Sequence, residues 1–210
     1  MKKIFLLLLA LMYGEMLYAQ DDMYADAWQK KSIKDMLTEI DGKWKLDENN
    51  NVTYTRIVDA EGLSKEEIFT RVTNYFTYNY GSGKSVIQTQ DKEAGLIVGK
   101  GIYGIQTESS FSTSRLDTWH ILRVDVKDGK ARIILSLTEY ERMSRAGNTI
   151  PTAFTSRISH EYPINKNGSS KREMTEAFYK SHNRAVKTLD ALEKAIKEGT
   201  TSKLLENEEW

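Results

Sequence analysis

The order of the hydrophobic periods constrains this chain more than any other feature. From the amino terminus, a helical stripe gives way to a strand pattern, a capped helix, four strand patterns in succession and one long amphipathic helix. Successive strands joined by tight turns pair antiparallel, and each helix must bury its apolar stripe against another layer. The order therefore predicts an α+β domain built on an antiparallel sheet.

The local chemistry marks the segments. Residues 22–40 read as a helix with Ile33, Met36, Leu37 and Ile40 on one stripe and Gly42 placed to end it. Residues 43–46 form a short strand, 47–51 a polar turn, and 52–60 a strand rich in Val, Ile, Thr and Tyr. Ser64 and Glu67 then make a capping box, with Leu63 and Ile68 at the staple positions around it. Ile68, Val72, Tyr75 and Phe76 give that helix its buried face, and Gly81 lets the chain leave it. Strands are predicted at 84–90, 96–107, 116–127 and 130–141, linked by the turn 91–95 and by the hairpin dipeptide Asp128-Gly129. Gly99, Gly101 and Gly104 predict a bulge or the close passage of a helix.

A second Ser/Glu pair, Ser170 and Glu173, predicts the start of a helix that runs to Glu198 before Gly199. Met174, Phe178, Ala185, Leu189, Leu192 and Ile196 line one side, while Glu176 with Lys180 and Glu193 with Lys197 are expected on a solvated opposite side. Residues 144–168 are long for a structureless loop, so 156–162 are expected to pair at a sheet edge, and 199–210 read as a flexible tail.

Residues 1–20 have the pattern of an export signal. Lys2 and Lys3 precede an apolar run at 4–12 that is too short to span a bilayer, and Ala19 offers a small residue for cleavage. The expected mature protein is periplasmic or secreted, has no transmembrane segment after cleavage, and consists of an N-terminal segment (20–51), a core domain (52–198) and the tail. The chain has no cysteine, which excludes disulfides, thiolate metal sites and a lipid-modified cysteine. Removing 1–19 takes away two lysines and one glutamate, so the mature chain stays close to neutral. Such a chain lacks the basic footprint of phosphate-backbone binding, and nucleic acid is not expected as a partner.

Three segments, Val58 to Phe69 (VDAEGLSKEEIF), Ile87 to Gly101 (IQTQDKEAGLIVGKG) and Val124 to Ile133 (VDVKDGKARI), resemble a family of secreted Bacteroidetes proteins that share a domain of unknown function with a TBP-like fold. The similarity covers roughly residues 52–142, with the last helix completing the pattern. It implies a β-α-β-β-β-β-α arrangement, a curved antiparallel sheet with both helices on one face. It implies no catalytic residue, and a shared fold does not carry its namesake's DNA binding across.

No motif for chemistry survives inspection. Gly83-Lys84-Ser85 imitates a phosphate loop, but Tyr78 stands where the first glycine belongs and a helix precedes it. His120, His160 and His182 fall in three different segments, so no metal site is expected, and His120 and His182 read as hydrogen-bonded packing residues. No cofactor is implied. Glu139 and Glu141 share a strand face, and with His160 they define the enzymatic alternative, an envelope hydrolase acting on glycan or peptide.

Strand alternation offers the other reading. With His120, Leu122, Val124, Val126, Ile133, Leu135 and Leu137 turned to the helices, Trp119, Ile121, Ile134 and Tyr140 point the opposite way, and Tyr103 and Ile105 are expected to join them. Aromatic and branched residues on a sheet's second face mark a contact surface, unless the N-terminal helix with Trp28, Met36 and Leu37 covers it. The expected function is a non-enzymatic binding module whose partner is an envelope protein, lipid or glycan.

Overall fold

The computed structural model describes residues 31–79, 86–109, 112–144 and 152–199. The export signal, Trp28 and the rest of 22–30, the exit at Gly81, the Gly83-Lys84-Ser85 run and the tail 200–210 lie outside the described residues. The chain divides into two compact units, Met1–Glu39 and Ile40–Trp210. Helix α1 (Ile33–Ile40), whose last residue opens the second unit, begins on a reciprocal cap: the Asp35 N–H donates to Ser32 Oγ at 3.1 Å and the Ser32 N–H donates to Asp35 Oδ2 at 3.3 Å.

The second unit runs β1 (Lys45–Leu46), β2 (Val52–Asp59), α2 (Lys65–Asn79), β3 (Val86–Asp91), β4 (Leu96–Ser109), β5 (Ser112–Lys127), β6 (Lys130–Ser144), β7 (Thr152–Arg157), a 3-10 turn (Ile158–His160) and α3 (Lys171–Glu198). The seven strands form an open antiparallel sheet in the order β1-β2-β6-β5-β4-β3. Strand β7 is off this path: β2 pairs residues 130–137 of β6, and β7 pairs 139–144. The edge strand predicted at 156–162 therefore exists, but lies earlier, at Thr152–Arg157.

Both longer helices pack on one face. On it lie Val52, Tyr54, Val58, Ile97, Leu122, Val124, Ile133, Leu135 and Leu137, all buried. Strand β4 carries Gly99 there because the Phe76 ring of α2 occupies the space; a Cβ at this position would lie 2.4 Å from Phe76 Cε1. Gly99 thus marks a close helix passage, and the bulges fall elsewhere, at Gln88 in β3 and Thr138 in β6. Arg71 of α2 donates to the carbonyls of Ile196 and Lys197, satisfying two of the last acceptors of α3.

Three connections are knitted together at one end of the sheet. The first N–H of α2, from Lys65, donates to Asp128 Oδ1 at 2.7 Å, while Ser64 Oγ accepts from the Glu67 N–H at 3.2 Å. The Gly129 N–H donates to the Leu63 carbonyl and the Ala60 N–H to the Gly129 carbonyl, each at 2.9 Å. The Val126 N–H donates to the Gly95 carbonyl at 2.7 Å, and Lys65 Nζ reaches the Glu93 carbonyl. The hairpin turn 128–129 thus caps a helix distant in sequence.

The long final helix spans Lys171–Glu198 as predicted, with Met174, Phe178, Ala185, Leu189, Leu192 and Ile196 buried. Its start is a correction. Ser170 adopts a left-handed conformation (φ 50°) and makes no side-chain cap bond, and Glu173 instead accepts from Arg142 at 3.0 Å and from Thr107 Oγ1 at 3.4 Å. The Glu193–Lys197 pair forms at 2.7 Å. Glu176, expected on a solvated side, is buried and bonds Arg172 at 2.6 Å, because the first turns of α3 are covered nearly all round.

Candidate functional site

The cross-strand register sorts every side chain of the sheet to one face or the other. On the helix face, polar residues interrupt the apolar core and meet α3. Tyr54 Oη hydrogen-bonds His182 Nδ1 at 3.1 Å, Thr118 Oγ1 bonds Ser181 Oγ at 2.8 Å, and Tyr103 Oη bonds Thr188 Oγ1 at 2.7 Å. The Tyr103 ring stacks on His120 with centroids 4.0 Å apart. His120 and His182 are thus buried packing residues, as the sequence indicates.

Burial sets the electrostatics of this seam. It pushes the phenols of Tyr54, Tyr103 and Tyr140 upward and that of Tyr75 up to about 12, and it drives the His120 imidazole down to about 3. All five groups are neutral at neutral pH. Tyr54, Tyr103 and His120 lie where the sheet meets α3, and their contacts seat that helix.

Three residues expected on the outer face turn inward instead. Tyr103, with Ile105, pairs with Thr118 and Leu116 of β5, which face the helices, so both turn inward. Tyr140 follows the bulge. Trp119 pairs with Glu139 and His120 with Leu137, leaving Thr138 as an extra residue that reverses the alternation beyond it. Tyr140 is consequently buried, and its hydroxyl has no hydrogen-bond partner among the described residues.

A pair of substitutions tests this arrangement. Tyr140→Phe removes an unpaired hydroxyl and is expected to leave stability unchanged or raise it by up to about 1 kcal/mol, whereas Tyr54→Phe strands His182 Nδ1 and is expected to cost about 1–2 kcal/mol. Urea denaturation of the two variants checks the difference; equal losses would contradict the unpaired state of Tyr140.

The outer face holds the remaining predicted residues, Trp119, Ile121 and Ile134, together with Lys100, Ile102, Arg123, Glu139 and Glu141. Ile121 is 38 % exposed and Ile57 of β2 is 52 % exposed, while Trp119 and Ile134 are half-buried. Trp119 Nε1 donates to Glu141 Oε2 at 2.7 Å, and Lys100 Nζ lies 4.4 Å from the indole centroid, so the ring is held from its edge and from one face. Gly104 stands opposite Asp117 and leaves room for the Arg115–Asp117 pair at 2.8 Å. Asp125 lies between two guanidinium groups, accepting from Arg123 Nε at 2.9 Å and from Arg132 Nη2 at 2.7 Å.

Glu139 and Glu141 do share this face, and Glu139 stands opposite Arg157 of β7. Glu141 is committed to Trp119, and His160 lies in the 3-10 turn after β7. Among the described residues no group of three or more His, Asp or Glu side chains is placed to hold a metal ion. No helix among them is long and apolar enough to cross a membrane.

An open antiparallel sheet with its helices on one face and the other face turned outward defines an α+β protein of the TBP-like class. Residues 54–141 match the family model for the domain of unknown function DUF4468 with TBP-like fold. Among solved structures, a DUF4468 family protein from Bacteroides ovatus is 14 % identical, with a TM-score of 0.55 over 83 % of this chain and 99 % of its own. A TBP-like protein from Parabacteroides distasonis is 17 % identical, with a TM-score of 0.49 over 70 % of this chain and 96 % of its own. Among curated proteins none matches. At 14 % identity the Bacteroides likeness shows the fold alone.

Proposed function

We propose that this protein is a non-enzymatic binding module, exported to the bacterial cell envelope, that holds a partner on the outer face of its sheet. The observation that carries this reading is the exposure of Ile57 and Ile121 on a sheet face where Trp119 and Ile134 are also only half-buried. Apolar residues at the centre of such a face with charged residues around them have the anatomy of a contact surface. The export signal read at residues 1–20 supplies the expected location.

The test uses Ile121→Glu. The side chain is exposed enough for the fold to tolerate a charge, with an expected change within about 1 kcal/mol. Protein purified from its native envelope should carry a co-purifying partner, detected by mass spectrometry, that the variant loses while its thermal midpoint barely moves. A variant that keeps the same partner at full occupancy would refute the assignment of the face.

A further inference from the structure

The charges of the outer face are not evenly presented. Its arginines stand out and their carboxylate partners are sunk: the side chains of Arg123 and Arg132 are 47 % and 51 % exposed, and that of Asp125 between them only 25 %. The same holds for Arg115 over Asp117, at 59 % against 3 %. The accessible charge at these points is therefore positive, although the chain as a whole is neutral.

Arg123 and Arg132 also stand beside the exposed apolar residues. Arg132 is opposite Ile57 and Arg123 opposite Ile134, with Ile121 the next outward residue along β5. Asp125 fixes both guanidinium groups by hydrogen bonds of 2.7–2.9 Å. Burial raises its carboxyl, but the bonds from Arg123 and Arg132 together outweigh burial and hold it below the usual range. The clamp thus stays ionised through neutral pH. Each guanidinium carries five N–H donors, and the bonds to Asp125 use only part of them on side chains that stay exposed. Held forks of this kind match a carboxylate by paired hydrogen bonds.

We propose that this corner of the outer face takes an acidic, amphipathic segment of a partner protein, its carboxylates on Arg123 and Arg132 and its apolar side chains on Ile57, Ile121 and Ile134. The proposal rests on the outer face being the binding surface. A protein segment fits better than an anionic membrane because Glu139 and Glu141 share the face and would be pressed against the same negative plane. A segment can place its acids over the arginines and keep them away from the glutamates.

Amide NMR of the full chain with a synthetic peptide of alternating Glu and Val tests it. The expected result is a set of shifts at Ile121, Arg123, Arg132 and Ile134 that disappears at about 0.5 M salt. A Lys-Val peptide should produce none. Binding should weaken at least about tenfold in the double variant Arg123→Gln, Arg132→Gln, and similarly in Ile57→Asp, whose exposed position secures folding if the double variant is unstable. Equal binding of the Lys-Val peptide, unchanged shifts in the variants, or phosphatidylglycerol vesicles that displace the Glu-Val peptide would overturn the proposal. A native partner lost in Ile121→Glu but kept in the arginine variant overturns the acidic segment alone. A partner kept in both overturns the binding face as well.

Discussion

Gly95→Ala is expected to destabilise the fold by about 3 kcal/mol and to lower the thermal midpoint by roughly 6–12 °C. Two effects add. Gly95 has φ +69°, where an L side chain meets its own backbone at a cost of about 1 kcal/mol or more. A Cβ there would also lie 2.3 Å from the Val126 carbonyl oxygen and 2.7 Å from Lys65 Cε. The carbonyl belongs to the backbone of a central strand, and the Val126 N–H already donates to Gly95, so neither side can yield without breaking the ladder. Gly129→Ala is the control. Its φ of +65° is equally unfavourable, yet nothing lies within 4 Å of the added carbon, so the expected loss is only about 1 kcal/mol. Thermal unfolding of the two variants separates strain from crowding, and equal midpoints would show that the three-way junction of turns is not closely packed.

That junction also explains what the sequence resemblance consists of. Its three segments contain Lys65, Gly95 and Asp128, and the fold brings these together at one end of the sheet. The residues by which the family is recognised therefore cap a helix and close turns. That is why the resemblance leaves the activity open.

Local signals were legible where local chemistry decides the structure. Ser64 caps its helix within four residues of chain, and Asp128-Gly129 turns its hairpin, so both could be placed without knowing the rest. The second Ser/Glu pair failed because Glu173 found a stronger partner, Arg142, from a distant strand. Tyr140 was misplaced for a different reason: a bulge inserts one residue and leaves no compositional mark. The only available signal was the interval from Leu137 to Tyr140, three where alternation demands two. On β4 the glycines at 99 and 101 occupy helix-facing positions, so the apolar residues fall on both parities and the pattern sends Tyr103 to the wrong face. The Arg123–Asp125–Arg132 clamp was unreadable because it depends on the register between β5 and β6.

Stability is expected to fall on mild acidification because His120 must stay neutral to remain buried. Its imidazole is fully enclosed, stacked on Tyr103, and burial lowers it from 6.5 to about 3. In the unfolded chain the same group takes up a proton near pH 6.5, so below that pH the unfolded state binds more protons than the folded one. The linkage sign follows: the contribution is fully present above pH 6.5 and is lost as pH falls toward 3, at about 1.4 kcal/mol per unit. From pH 7.5 to 5 the loss attributable to His120 is about 2 kcal/mol. His120→Gln keeps a neutral polar side chain that cannot ionise, and whatever it costs at pH 7.5 it should cost less at pH 5. The other ionisable groups are common to both proteins and cancel in the comparison. Urea denaturation at the two pH values should therefore bring the variant and the wild type closer together by about 2 kcal/mol. Parallel losses would mean that the folded protein accepts the His120 proton, and that the seam between the sheet and α3 opens to solvent far more readily than its burial indicates.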